Sequence, residues 1–179
     1  MRARTFQAEV TGMAHTRALN LPPRTVHPAA FVELHQSFPS QVQAISPSVD
    51  QVMRFMRSFR KADGSESEIE AALCEALANA VVHGNGENPR KRVYVACRCY
   101  MDGEVSVTVR DEGQGFDTTT VPDPTTSDNR LLPHGRGIYL MKAVMDEVSF
   151  EDRGAVVHMR KESNMHSAAR RTAEWDRQF

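Results

Sequence analysis

The chain has 179 residues, 40% hydrophobic and 25% charged, and its 22 Lys plus Arg against 23 Asp plus Glu give a formal net charge of −1. That is the length and composition of one ordinary globular domain, and the near-neutral balance gives no electrostatic ground for direct nucleic-acid binding. Three cysteines without a C-x-x-C pair exclude a disulfide scaffold and a zinc ribbon, and no apolar run reaches the ~18 residues of a membrane span.

Residues 1–30 hold four Arg against one Glu and three prolines, with no sustained period and no apolar core behind Arg2 and Arg4. They read as a flexible N-terminal arm rather than a secretory signal, and the expected compartment is the reducing cytoplasm. Phe31 to Phe38 predicts a first strand with Phe31, Glu33 and His35 on one side and Val32 and Leu34 on the other. After Ser46-Pro47, the residues Val49, Val52, Met53, Met56 and Phe59 recur at helical spacing and predict an inward stripe. Lys61 to Gly64 breaks that helix. A second one opens at Ser65 or Ser67, each with a Glu three residues on, as in a capping box. It buries Ile69, Leu73, Leu77, Ala80 and Val81 and ends at Gly84, Gly86 and Pro89.

Arg92–Tyr100 and Glu104–Arg110 predict a hairpin around Asp102-Gly103, with Cys97 and Cys99 as buried thiols on one face. A loop rich in Thr, Pro and Asp spans residues 117–134. A third helix starts near Gly135 with Ile138, Met141, Val144 and Met145 inward, and residues 148–150 and 155–160 close a last hairpin around Arg153-Gly154. From Ser163 onward the chain is polar and reads as a tail. The order strand, helix, helix, hairpin, helix, hairpin implies an α+β domain with helices on one face of a mixed sheet.

Three constellations are candidates for chemistry. Glu75, Asn79 and His83 lie four residues apart and fall on one helical stripe, flanked by small alanines that permit a close approach. A carboxylate and a carboxamide so placed can orient or deprotonate a hydroxyl and offer oxygen to a hard cation, although a solvated helix face has the same spacing. In Asp111-Glu112-Gly113-Gln114-Gly115-Phe116, Asp111 continues the inward parity of Val105, Val107 and Val109. A carboxylate buried there needs a donor, such as an exocyclic amine or a bridging water, and the two glycines let backbone approach a flat ligand. The alternative is a strand-ending turn with an exposed Asp. Gly135-Arg136-Gly137-Ile138 opens the third helix, where unshielded N–H groups and a cation suit phosphate, or where glycines merely let the chain turn.

In order and spacing these segments resemble the GHKL (Bergerat-fold) ATPase superfamily. Glu75-Ala-Leu-Ala-Asn79-Ala-Val-Val-His83-Gly84 resembles its N box, Asp111 to Phe116 its first glycine box, and Gly135-Arg136-Gly137-Ile138 its second. The short loop before the second box, the phrase Leu140 to Val148 and the ending Gly154 to Lys161 are similar to the RsbW-like anti-sigma-factor serine/threonine kinases. The resemblance implies a two-layer sandwich over residues 31–162, between an arm (1–30) and a tail (163–179). It implies ATP as ligand, Mg²⁺ held by Asn79, and Glu75 as the base for a protein hydroxyl. Asp111 would accept the adenine amine, with Gly113, Gly115 and Phe116 shaping the pocket. Gly135, Arg136, Gly137 and Ile138 would line the phosphates, and His83 would join the nucleotide-binding set. Where many relatives carry a hydroxyl residue near the adenine, this chain has Val156. The implied partners are a sigma factor, an anti-anti-sigma (STAS-domain) protein and a second copy in a homodimer. The rival expectation is a non-catalytic, ATP-gated binding module.

Overall fold

The structure, a computed structural model, describes residues 30–60, 62–115 and 136–164, and of Arg136 the backbone only. Almost all of the expected arm and tail, and the 117–134 loop with Phe116 and Gly135, lie outside the described residues. Alternation of apolar and polar residues produces the strands β1 (Phe31–Pro39), β2 (Arg92–Tyr100), β3 (Val105–Arg110), β4 (Glu147–Glu151) and β5 (Val156–Lys161). They form one five-stranded sheet in the order β1-β2-β3-β5-β4. Every pairing among them is antiparallel; the expected mixed, mostly antiparallel sheet has no parallel pair among the described strands, and β3 meets β5 by a crossover through the third helix and β4.

The helices are α1 (Ile45–Phe59), α2 (Glu66–Ala78) and α3 (Arg136–Val144). Their apolar stripes and the inward strand residues Leu34, Phe38, Val93, Val95, Cys97, Cys99, Val105, Val107, Val109, Val157 and Met159 belong to one continuous core. The fold is therefore a two-layer α+β sandwich. Within it Cys97 and Cys99 are buried on one face, as their spacing predicts.

Two local expectations fail. Phe59 ends the α1 stripe but is 57% exposed; its ring lies on that of Phe55, centroids 5.1 Å apart, because the last turn overhangs the edge of the core. The capping box at α2 does not form either. Ser65 Oγ makes no cap hydrogen bond and instead donates to Asp63 Oδ1 at 2.7 Å. Glu66, not Glu68, reaches back, accepting from the Asp63 and Gly64 amides at 3.1 Å each. Arg60 explains the swap: its buried guanidinium donates to Asp63 at 2.6 Å, to Ser65 Oγ at 2.9 Å and to the Gly103 carbonyl at 2.7 Å. At the far end, Asn164 donates from its backbone to Asp63 at 2.9 Å and pins the chain after β5 to the same loop.

Candidate functional site

α2 carries Glu75, and Asn79 follows directly on its last residue; both are half-buried. It then changes pitch: residues Asn79–Gly84 form a π-helical turn, closed by the Asn85 amide on the Ala80 carbonyl at 2.9 Å. The extra residue in that turn rotates the chain beyond it, a device common at functional sites. The consequence for the expected stripe is direct. Glu75 and Asn79 stay on it, whereas His83 is exposed and is not among the residues that line the cavity beside them. The i, i+4 rule that aligned all three assumes an α-helix and fails across a π turn.

The same turn drives Gly84 against β3. A Cβ on Gly84 would fall on the Asp111 carboxylate, and one on Gly113 would strike the Gly84 carbonyl. The N-box end and the first glycine box therefore interlock backbone to backbone, which only glycine permits. Asp111 is 6% exposed, as its strand parity predicts. Its Oδ1 accepts from the Gly113 amide at 2.7 Å. Burial pushes its carboxyl above the ordinary aspartate value, against the opposing pull of the Gly113 amide, Lys91 and Arg110.

Gly115, at φ +75°, abuts the β4–β5 turn; a Cβ there would meet the carbonyls of Arg153 and Asp152. That turn runs through three successive left-handed residues, Asp152 (φ 48°), Arg153 (φ 57°) and Gly154 (φ 85°). Two of the three are not glycine, a costly conformation held by its surroundings.

Between these elements lies a cavity open to solvent. Ala76 from α2 and Ala80 from the π turn line it together with Val109, Met141, Phe150 and Val157. Asn79 and Asp111 are its polar groups. Flat apolar walls with few convergent polar groups suit a heteroaromatic ring. The lining residues next to and on β5 are Ala155, just before the strand, and Val157. Val156 alternates to the other face of the sheet, so the residue chosen from the sequence is one position away from the cavity. Ala155 and Val157 were missed there, although strand parity with Val109, the partner of Val157, would have found Val157.

The second glycine box meets the N box at α3. A Cβ on Gly137 would stand 2.5 Å from Glu75 Oε2 and 3.4 Å from Asn79 Nδ2. Glu75, Asn79 and the first turn of α3 thus converge where Asn79 lines the cavity. Ile138 packs on the core behind them. Gly135 and Phe116 lie outside the described residues, as does the Arg136 side chain. Among the described residues no group of three His, Cys, Asp or Glu is arranged to hold a metal ion, so a cation here would rely on the Asn79 amide oxygen and on the oxygens of its ligand.

A family model described as a histidine kinase-like ATPase domain matches residues 38–161. The chain belongs to this family. The 31% identity to the anti-sigma F factor of Geobacillus thermodenitrificans, over 72% of this chain and 91% of that one, places it in the anti-sigma branch of the GHKL superfamily. The anti-sigma F factor of Heyndrickxia coagulans is 35% identical over 55% of this chain and 71% of its own. The crystal structure of the RsbU and RsbW domains of Rv1364c from Mycobacterium tuberculosis shares the fold, with a TM-score of 0.51 and 18% identity over 72% of this chain; the match spans 31% of that longer chain. The histidine kinase-like segment covers β2 to β5 and all three helices, so the cavity lies wholly within it. No described helix is long and apolar enough to cross a membrane.

Proposed function

We propose that the chain is an ATP- and Mg²⁺-dependent protein serine/threonine kinase that acts as an anti-sigma factor. In this reading residues 31–162 are the catalytic domain of a cytoplasmic homodimer. It holds a sigma factor in one state and phosphorylates a STAS-domain partner in the other. The observation that carries it is one cavity lined by both the buried Asp111 carboxylate and Asn79, with Glu75 and Gly137 meeting at Asn79. The names of the relatives supply the anti-sigma part.

The residues fit an adenine nucleotide. Asp111 has a single short donor and accepts the adenine amine. The glycine at 137 leaves the room that a side chain would fill. Mg²⁺, when bound at Asn79, offsets phosphate charge. Glu75 accepts the proton of the partner's serine or threonine hydroxyl as that oxygen bonds to the γ-phosphorus. The bond from that phosphorus to the β–γ bridging oxygen breaks, and ADP leaves with the electron pair. Such transfer asks the protein chiefly for position and electrostatics.

The test is labelled ATP with candidate STAS proteins, using wild type and Glu75→Ala. Transfer should fall about 10²–10⁴-fold, the usual worth of a general base, while ATP is still bound. Unchanged transfer removes Glu75 from this role. Binding of ATP and sigma factor with no transfer in the wild type replaces the kinase by the non-catalytic, nucleotide-gated module.

A further inference from the structure

Asn85 lies just past the π turn and has no part in the phosphoryl transfer. It is only 4% exposed, and both ends of its amide are engaged. Nδ2 donates to the Arg92 carbonyl and Oδ1 accepts from the Glu112 amide, each at 2.9 Å. The Glu112 carboxylate returns to the same strand, accepting from the Arg92 amide and the Tyr94 hydroxyl at 2.8 Å each. The result is a closed ring: Asn85 to the Glu112 backbone, the Glu112 side chain to Arg92, and Arg92 back to Asn85. Within the ring's grip lies the Asp111-Glu112-Gly113 turn, whose Gly113 amide holds one oxygen of Asp111. Gly84, the residue before Asn85, presses on that carboxylate from the other side.

We infer that Asn85 is a positioning residue that aims Asp111 and so sets the preference of the site for adenine over guanine. The inference rests on the cavity being a nucleotide site. An amide suits the task because it presents donor and acceptor in fixed directions, and here each meets a backbone group across a part-buried bond. Alanine leaves the Glu112 amide and the Arg92 carbonyl without their partner, and groups so stranded pull toward water and relax the turn. Asp111 then loses its fixed position, and a carboxylate free to turn away gives up both its bond to an amine and its repulsion of a carbonyl at the same ring position.

The experiment is calorimetric binding of ADP and of GDP to the full chain. No phosphoryl transfer enters, so failure of the kinase reading does not affect it. Asn85→Ala should weaken ADP by about tenfold, the worth of one buried hydrogen bond, with GDP little changed, so that the selectivity ratio falls. Asn85→Asp keeps the oxygen that accepts from Glu112 and should restore most of the ratio even if it melts lower. A merely structural residue would lower thermal stability and weaken both nucleotides alike. Should Asn85→Ala not fold, Glu112→Ala opens the ring from its exposed side and should lower the ratio less steeply. An unchanged ratio in whichever of these alanine variants folds overturns the inference and leaves the nucleotide reading intact. A wild type that binds no adenine nucleotide overturns both.

Discussion

Two buried aspartates, one in the α1–α2 loop and one in the first glycine box, are held in opposite ways. Asp63 accepts four hydrogen bonds, from Arg60, the Asn164 amide, and the hydroxyl and amide of Ser65. Burial alone would raise its carboxyl, but the Ser65, Asn164 and Arg60 donors together hold it below the ordinary aspartate value of 3.8. Among the described residues Asp111 has one backbone donor, Gly113, and burial wins. A carboxylate saturated from within the chain fastens elements together. A carboxylate left short of donors is available to a ligand that brings one, and the chain bears the cost until the ligand arrives.

The largest effect that tests this contrast is Asp63→Ala, which strands the buried Arg60 guanidinium. Urea melts should show a loss of about 3 kcal/mol, typical of breaking a buried pair from one side. A loss below about 1 kcal/mol would place Asp63 among the weak surface pairs instead. Next comes Gly113→Ala, where the added carbon meets the Gly84 backbone. Overpacking of this kind costs about 1–3 kcal/mol, and ADP binding should be lost with it. Asp111→Asn should go the other way. A raised folded value means that stability falls as pH rises from 3.8 through that value, so removing the charge stabilises the fold at pH 7, and the gain shrinks as pH drops toward about 4. Thermal melts across that range check the sign; a destabilised Asp111→Asn at pH 7 would break the contrast. Asp63 has the opposite dependence: its contribution is present above 3.8 and is lost as pH falls through its lowered value. The smallest effect is Phe59→Ala. The residue is more than half exposed and rests against the Phe55 ring, so the expected change is about 0.5 kcal/mol.

Much of this was legible in the sequence because the signals are local and periodic. Alternating valines located β2 and β3, Asp102-Gly103 located their turn, and parity alone put Asp111 inward. Three short motifs at their spacing identified the superfamily. Other features depended on what no local period encodes. The π turn needs one extra residue that propensity does not mark, and it moved His83 off the stripe and Gly84 onto Asp111. Phe59 continues an apolar stripe to a position that the fold leaves mostly exposed. The capping box at Ser65 lost to Arg60, a residue whose partners include Gly103, far away in sequence. Asn85 lay beside a turn signal, Gly84 and Gly86, and read as punctuation; its importance comes from two backbone groups that only the assembled sheet brings within reach.

The strand order also bears on how the molecule is assembled. Val105 pairs with Lys161 and Arg110 with Val156, partners roughly 50 residues apart, and such contacts carry a loop-closure cost before they return anything. The cavity takes Val109 from one side of this ladder and Ala155 and Val157 from the other, with Met141 and Phe150 contributed by the chain between them. It therefore exists only after β5 has docked, and any ligand that fits it binds the completed chain alone. Nucleotide at concentrations well above its dissociation constant should then act as a folding ligand, raising the melting temperature by mass action and slowing the release of β5.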